Sequence, residues 1–400
     1  MSGESAEIIP KSKVRLKFID MGRSIAILLM LEGHFIEHTF KDFKVMAGAV
    51  REHGTSGNLA FDWFYFIKGF TAPIFFAVTG VIFVYLLARN KDAGYFRNPR
   101  VKKGFRRVLE LLFWGYLLQL NLRYSSEYIH GDFGDWVSAF HVLQCIGIGI
   151  AFLLIIYGLY KLINIGPLYI YYFIAGTAIF CLYPGIKMLP ADVFIPEHAP
   201  NLIQNMIKGP DSVFPIIPWT AFTVYGGMIG ALIVRFHDHV TKLWFPLIFI
   251  AIGIILNVWA RPIFLSIDGI VEYFGILKNS EFVQNAWLYG RFGQVIIALG
   301  VLILVEKYFV IKAKLFLKVG QNTLPIYILH VMVLYAGFIG YGLKSTPISH
   351  ALNGWQTILG AAIFIGVFVV FIKYFEFFDG LKTQFMNLFR RKRKEKVVED

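Results

Sequence analysis

The chain contains ten stretches of mostly apolar residues, each close in length to a membrane-spanning helix. The hydrocarbon core of a bilayer is about 30 Å thick, which a helix of about 20 apolar residues can cross. Backbone polar groups find no water at that depth, so these stretches are expected to be helical. An apolar fraction of 57% excludes an ordinary soluble domain. We predict an all-α, polytopic integral membrane protein with spans over residues 22–40, 61–88, 105–121, 137–157, 166–183, 214–234, 243–259, 286–305, 315–335 and 355–375.

One further apolar segment, residues 264–277, is interrupted by Asp268, Gly269 and Glu272. At about 14 residues it is short for a span. It is predicted to be an interfacial or re-entrant piece, although an eleventh span stays open. In the sixth predicted span, Gly226 and Gly230 form a small-xxx-small pair that predicts close approach to a neighbouring helix.

The distribution of lysine and arginine predicts the orientation. These residues concentrate in the N-terminal tail, in residues 89–107 and from residue 373 onward. Because cytoplasmic loops carry such an excess, both termini are predicted to be cytoplasmic. The chain then divides into a cytoplasmic tail over residues 1–19, a membrane domain over residues 20–379 and a basic cytoplasmic tail over residues 380–400. We expect a multi-pass protein of the inner (plasma) membrane.

The net charge of +13 follows largely from this topology. The basic C-terminal run is therefore expected to meet membrane lipid rather than nucleic acid. Cys145 and Cys181 fall in predicted spans without metal-like spacing, which argues against a zinc site or a disulfide framework. The sequence also lacks a phosphate-binding P-loop, a nucleophile elbow and an HExxH zinc helix. No metal is expected.

Arg23 and His34 lie on one face of the first predicted span, and Asp20, one turn before Arg23, continues this face. The eleven helical steps from Arg23 to His34 leave roughly 20° between them around the axis and about 16 Å along it. Since histidine titrates near neutrality, His34 is a candidate general base that takes a proton from a hydroxyl or an amine. The alternatives are a snorkelling Arg23 paired with Asp20, and a His34 that only hydrogen-bonds a neighbouring helix.

His53 in the first outer loop and Asp62 form a second candidate base and orienting pair, although a solvated loop histidine is the simpler interpretation. A basic loop precedes and opens the third span. Arginine and lysine there suit the phosphates of a nucleotide cofactor, besides reinforcing the topology. The candidate phosphate contacts are Arg100, Lys103, Arg106 and Arg107.

Four more polar residues in or beside spans are candidates for an acceptor site or pocket. Lys68 lies in the second span, where a charge is either paired or faces water. Asp62 is the nearest acid along the chain, but it falls on a different helix face. The other candidates are Arg291, Asn322 and His330.

Taken in order along the chain, the motifs resemble those of the membrane-embedded acyltransferase superfamily. The resemblance rests on R-x₁₀-H in the first span, TAPIFFAVTG in the second, the paired arginines Arg106 and Arg107, VLQCIGIGIA, FPIIPW and VGQNTLPIYILHV. The R-x₁₀-H element is similar to the acyltransferase family 3 branch. The segments DWFYFIKGFTAPIFF and FPIIPW look closest to bacterial relatives of the heparan-α-glucosaminide N-acetyltransferase catalytic domain.

This resemblance implies an enzyme that moves an acyl group, usually acetyl, from cytoplasmic acyl-CoA to a sugar or glycan acceptor on the other side. The essential pair of the first span carries over to Arg23 and His34, and the arginine pair carries over to CoA contacts. The heparan-type enzyme has its key histidine in the first outer loop, which matches His53 only loosely. A secondary transporter or flippase is the alternative function. The resemblance leaves four properties open: the acceptor, the acyl chain length, the choice between direct transfer and an acyl-enzyme, and a homo-oligomeric state.

Overall fold

A computed structural model describes residues 16–90, 94–131, 134–190, 193, 195–196, 198–209, 211–275, 281–310 and 312–396, without the side chains of residues 135 and 376–396. Most of the predicted N-terminal tail, residues 1–15, and the last four residues of the predicted C-terminal tail lie outside the described part.

Within the described residues the chain forms fifteen α-helices. They are α1 (Lys17–Thr39), α2 (Phe43–His53), α3 (Leu59–Ala88), α4 (Pro99–Gln119), α5 (Ser125–Ile129), α6 (Gly134–Ser138), α7 (Val142–Ile163), α8 (Leu168–Met188), α9 (Asn201–Lys208), α10 (Ile216–Arg235), α11 (Trp244–Tyr273), α12 (Ala286–Tyr308), α13 (Lys314–Gln321), α14 (Thr323–Tyr335) and α15 (Gly354–Lys396).

The all-α, polytopic prediction is confirmed. In the described part of the chain, seven helical segments are long and apolar enough to cross a membrane, namely those that contain α3, α7, α8, α10, α11, α12 and α15. The predicted spans 22–40 and 105–121 correspond to α1 and α4, which carry several charged residues. The total of ten crossings and the side of each terminus stay predictions.

The ninth predicted span, residues 315–335, is divided into two helices. Asn322 has φ −112° and ψ 38°, which separates α13 from α14. Its side-chain amide donates to the Lys318 carbonyl at 2.9 Å, so the side chain satisfies a carbonyl where the regular helix ends. Asn322 is therefore a helix-terminating residue in this fold.

The re-entrant alternative predicted for residues 264–277 is wrong for its described part, whereas an interfacial position of these residues stays a prediction. Helix α11 continues without a break through Pro262 to Tyr273, while residues 276 and 277 lie outside the described residues. The Asp268 carboxylate accepts from the backbone N–H groups of Phe282 and Val283, both at 2.8 Å. The acid that interrupts the apolar pattern thus caps the short helical turn that leads into α12.

Close helix packing holds α3 against α10, as the glycine pair predicts. A Cβ atom at Gly226 would collide with the carbonyl of Ala77, and one at Gly230 would collide with that of Val81. Only glycine lets the two backbones approach this closely. Helix α1 packs on α3 and α12 and also on α13 and α15, so its polar face lies inside the bundle.

Candidate functional site

A cavity of about 730 Å³ lies between the C-terminal half of α1 and helices α3, α4, α7 and α14. Its wall is rich in side chains that carry protons or accept hydrogen bonds. These are His34, Glu37, His38, Lys68, Gln119, Asn121, Tyr124, Glu127, Tyr128, His141, Gln144, Tyr327, His330 and Tyr335.

Four of the lining side chains, from three helices, are in contact with one another. The Nδ1 atom of His34 lies 2.6 Å from the Tyr335 hydroxyl and 3.4 Å from Glu37 Oε2. The same Glu37 oxygen lies 3.2 Å from Lys68 Nζ. Helix α1 therefore contributes the imidazole and the carboxylate, α3 the ammonium, and α14 the phenol.

More histidines surround this group. The ring of His330 stacks on that of His34 at 5.5 Å between centroids, and His38 lies against Tyr335 at 4.4 Å. Among the described residues, His38 Nε2, His141 Nε2 and His330 Nδ1 are buried without a hydrogen-bond partner. Because buried polar atoms are rarely left unpaired, the cavity is suited to a polar ligand.

The part of the cavity wall that α4, α6 and α7 contribute is polar and aromatic. The amide of Gln144 donates to the Gln119 carbonyl oxygen, and Gln119 donates to the backbone carbonyls of Trp136 and Ala139. The half-exposed Trp136 ring lies 4.7 Å from the ring of His141. Fixed amides beside an aromatic face form a wall that can orient a hydroxylated ligand.

Two smaller cavities adjoin the large one on the side of the α1 N-terminus. The second has a volume of about 120 Å³ and shares His34 and Lys68 with the first. The third, of about 180 Å³, shares Phe75 with the second and is lined by Arg23 and Arg107 at its far end. Tyr327 lines all three, so the cavities form one series between the two arginines and His34.

The polar residues of α1 therefore lie at different ends of this series. Arg23 donates to the Thr323 hydroxyl at 3.2 Å, and His34 reaches the large cavity. Asp20 is buried one turn before Arg23. Arg107 lines the third cavity and forms an ion pair with Glu110 at 2.9 Å.

The other predicted phosphate contacts surround the start of α4. Lys103 and Arg106 are exposed, and the backbone N–H of Arg100 is capped by the Asn98 side chain at 3.0 Å. These three residues do not line the three cavities. All three precede Arg107 in a stretch of the sequence that is rich in lysine and arginine.

His53 and Asp62 lie apart from the large cavity. The His53 side chain is 72% exposed at the end of α2, where it is 3.8 Å from Glu52. Asp62 accepts from the Thr55 hydroxyl at 2.6 Å and from the backbone N–H of Ser56 at 2.8 Å. The Asp62 carboxylate, in the first turn of α3, therefore binds the loop before that helix, and the structure does not bring the predicted pair to the site.

Of the predicted pocket residues, Lys68 and His330 line the large cavity, whereas Arg291 and Asn322 do not. Arg291 donates to Gln294 at 3.0 Å and lies over the Phe66 ring at 5.2 Å. These contacts within α12 and with α3 satisfy its guanidinium group. Asn322 ends α13, as described above.

Two residues of the site were missed in the sequence. Glu37 follows His34 by three positions, a spacing that does place two side chains on one helix face. Near the end of a predicted span it was indistinguishable from an interfacial acid. Tyr335 lies 301 positions from His34. No local signal relates residues that far apart.

Comparison with known families gives one assignment. The sequence profile of the family described as heparan-alpha-glucosaminide N-acetyltransferase, catalytic, matches residues 15–246, which is more than half of the chain. The chain belongs to this family. The match confirms the resemblance in the motifs and makes the protein a multi-pass membrane acetyltransferase.

The N-acetyltransferase family match covers part of the site. It includes α1, α3, α4 and α7, and so His34, Glu37 and Lys68, but it ends before α14, which carries His330 and Tyr335. A comparison with curated proteins finds no match. In the described residues no group of three or more histidine, cysteine, aspartate or glutamate side chains could hold a metal ion.

Proposed function

We propose that this protein transfers an acetyl group from cytoplasmic acyl-CoA, across the inner (plasma) membrane, to a sugar or glycan acceptor on the outer side. The observation that carries the proposal is the series of three cavities that leads from Arg23 and Arg107 to His34. With both termini cytoplasmic, as the basic residues predict, this series runs from the donor side towards the acceptor side. The family assignment favours transfer over the transporter alternative.

The donor enters at the end that carries the arginines. The phosphates of acyl-CoA are bound by Arg107, with Arg100, Lys103 and Arg106 adding positive charge around the start of α4. The narrow arm of the donor then lies along α1, since Arg23 and His34 are about 16 Å apart along the helix. This arrangement brings the thioester to the junction of the cavities, beside His34.

The acceptor occupies the large cavity. In the transfer step, His34 takes the proton from the hydroxyl or amine of the acceptor, whose oxygen or nitrogen forms a bond to the thioester carbonyl carbon. The carbon–sulfur bond then breaks, and the CoA thiolate takes the proton back from the imidazolium. The products are the acetylated acceptor and free CoA, so the step needs no further reactant.

The decisive experiment compares two histidines. Purified protein in liposomes is incubated with labelled acetyl-CoA and a panel of saccharides that includes glucosamine. His34→Ala is expected to abolish transfer, because the base is lost, and to keep the thermal stabilisation by acetyl-CoA. His53→Ala, at a 72% exposed side chain outside the cavity, is expected to keep both.

Three outcomes would contradict the proposal. Wild-type transfer by His34→Ala would remove the base from this site, and loss of transfer in His53→Ala alone would move it to the outer loop. Wild-type protein that neither transfers acetyl groups nor gains thermal stability from acetyl-CoA would favour the transporter.

A further inference from the structure

Glu37 lies between the candidate base and a lysine, and the mechanism above gives it no task. Its Oε2 atom is 3.4 Å from His34 Nδ1 and 3.2 Å from Lys68 Nζ. The three side chains are only 25–33% exposed. Ionisable groups inside a membrane protein are costly, so a group of three in contact calls for a functional explanation.

The contacts at Nδ1 decide which ring nitrogen of His34 can act as the base. A neutral imidazole carries one proton, on either Nδ1 or Nε2. A carboxylate only accepts hydrogen bonds, so Glu37 favours the tautomer with the proton on Nδ1. The Tyr335 hydroxyl, 2.6 Å from the same atom, can accept that proton or donate its own to a bare Nδ1, so it fits either tautomer, and only the carboxylate discriminates between them. Nε2 then keeps its lone pair and is the nitrogen that can receive a proton.

The other tautomer would be inactive in the proposed step. With the proton on Nε2, the lone pair would lie on Nδ1, the nitrogen that Tyr335 and Glu37 already contact. An acceptor molecule could not reach it without displacing the phenol. In the proposed step, transfer thus requires that the proton of the resting imidazole lies on Nδ1.

Lys68 supplies the charge that keeps Glu37 ionised. A carboxylate buried without a counter-charge would bind a proton and cease to be a pure acceptor. The ammonium group comes from α3, where it also lies 5.4 Å from the Phe43 ring centroid.

We propose that Glu37 is the positioning residue of this site. Its Oε2 atom holds the His34 proton on Nδ1, and Lys68 holds Glu37 in its ionised form. The inference rests on the proposed function, in which His34 is the base. It concerns the tautomer of the His34 imidazole and does not depend on which saccharide is the acceptor.

The kinetic test replaces the carboxylate by its amide. Glu37→Gln is expected to lower kcat for acetyl transfer from acetyl-CoA to glucosamine by roughly 10²-fold to 10⁴-fold, as for a misoriented catalytic histidine. KM for acetyl-CoA should not change, because the proposed phosphate contacts of the donor lie at the other end of the cavity series. Glu37→Asp should recover part of kcat. The matched control is Glu32→Gln, a half-buried acid on the same helix outside the cavity lining, with no expected change.

A spectroscopic test reads the tautomer without turnover. The protein is labelled with ¹⁵N-histidine, and the His34 signals are assigned by their loss in His34→Gln. We expect a protonated Nδ1 and an unprotonated Nε2 in the wild type, and a shift towards the Nε2-protonated form in Glu37→Gln. An unchanged tautomer or an unchanged kcat in Glu37→Gln would overturn the inference.

The two proposals fail in different ways. If His34→Ala is inactive while Glu37→Gln is fully active, His34 stands as the base and Glu37 does not position it. If His34→Ala is active, the base assignment itself falls.

A double substitution tests Lys68. Lys68→Met leaves Glu37 without its counter-charge and is expected to lower both thermal stability and kcat. The double variant Glu37→Gln/Lys68→Met carries neither charge and should regain stability but not kcat, because coupled neighbours are non-additive. Wild-type kcat in Lys68→Met would overturn the role given to Lys68.

Discussion

At the scale of single residues, several charges that stand out in an apolar sequence satisfy backbone groups. Glu306, in the last turn of α12, accepts from the backbone N–H groups of Lys17 at 3.0 Å and Phe18 at 2.6 Å. Leu16 at the N-cap position of α1 offers no side-chain acceptor. A carboxylate from another helix therefore caps α1, as Asp268 caps the turn before α12.

Removal of this distant cap is expected to destabilise the protein. Glu306→Ala leaves the two N–H groups of α1 without their acceptor, at a cost of about 1 to 2 kcal/mol. The melting temperature in detergent measures the effect. The matched control is Glu272→Ala, at an exposed acid in the last turn of α11, which should melt like the wild type. Equal melting of both variants would mean that the cap contributes nothing.

At the scale of helices, the close approach of α3 and α10 keeps the bundle compact beside the site. Lys68, Phe75 and Thr79 on α3 line the cavities. The collisions that a Cβ atom would make at Gly80, Gly226 and Gly230 are with backbone atoms of the facing helix, which cannot move aside as a flexible side chain can. The spacing of Gly226 and Gly230 predicted the close approach, whereas it did not predict which helix is the partner.

A methyl group at this contact should therefore separate the helices. Gly226→Ala is expected to lower the stability by about 1 to 3 kcal/mol, the usual cost of overpacking. Gly290→Ala is the control, because a Cβ atom at Gly290 in α12 meets nothing within 4 Å. It should keep or slightly raise the melting temperature. A Gly226→Ala protein as stable as the wild type would show that the backbones can move apart at little cost.

At the scale of the whole molecule, the cavity series exists only because distant parts of the chain pack together. Tyr327 of α14 lines all three cavities, although α14 lies beyond the region that the family profile matches. The third cavity, of about 180 Å³, is the end of the series that carries the arginines, and in the proposed function the donor passes through it.

Filling the third cavity should block the donor. Thr79 lines the third cavity, and its hydroxyl donates to the Phe75 carbonyl of its own helix at 2.8 Å. Thr79→Phe is expected to raise KM for acetyl-CoA by roughly tenfold or more, since each 1.4 kcal/mol of lost binding is tenfold. Thr79→Val keeps the volume and should leave KM unchanged. Unchanged KM in Thr79→Phe would exclude this route for acetyl-CoA.

How much of the site was predictable depends on how local each relationship is. Asp20, Arg23 and His34 could be placed on one face because they share a helix and its period. Arg291 looked like a pocket residue because its contact with Phe66 joins two helices that lie far apart in the sequence. Glu37 was overlooked because its partner Lys68 comes from α3, and a lone acid near a span end is unremarkable.

The sequence by itself determined the class of this protein. Apolar segments of about 20 residues predict membrane helices, because a helix satisfies its backbone polar groups within its own segment in lipid, and the ordered motifs indicated the acyltransferase relationship. Only the tertiary structure decided which polar residues share a cavity. Tyr335 reaches His34 across 301 positions, and Asp62 turns to Ser56 instead of His53. Helical periodicity acts over a few turns of one segment, whereas the site is formed by packing between helices that no local pattern relates.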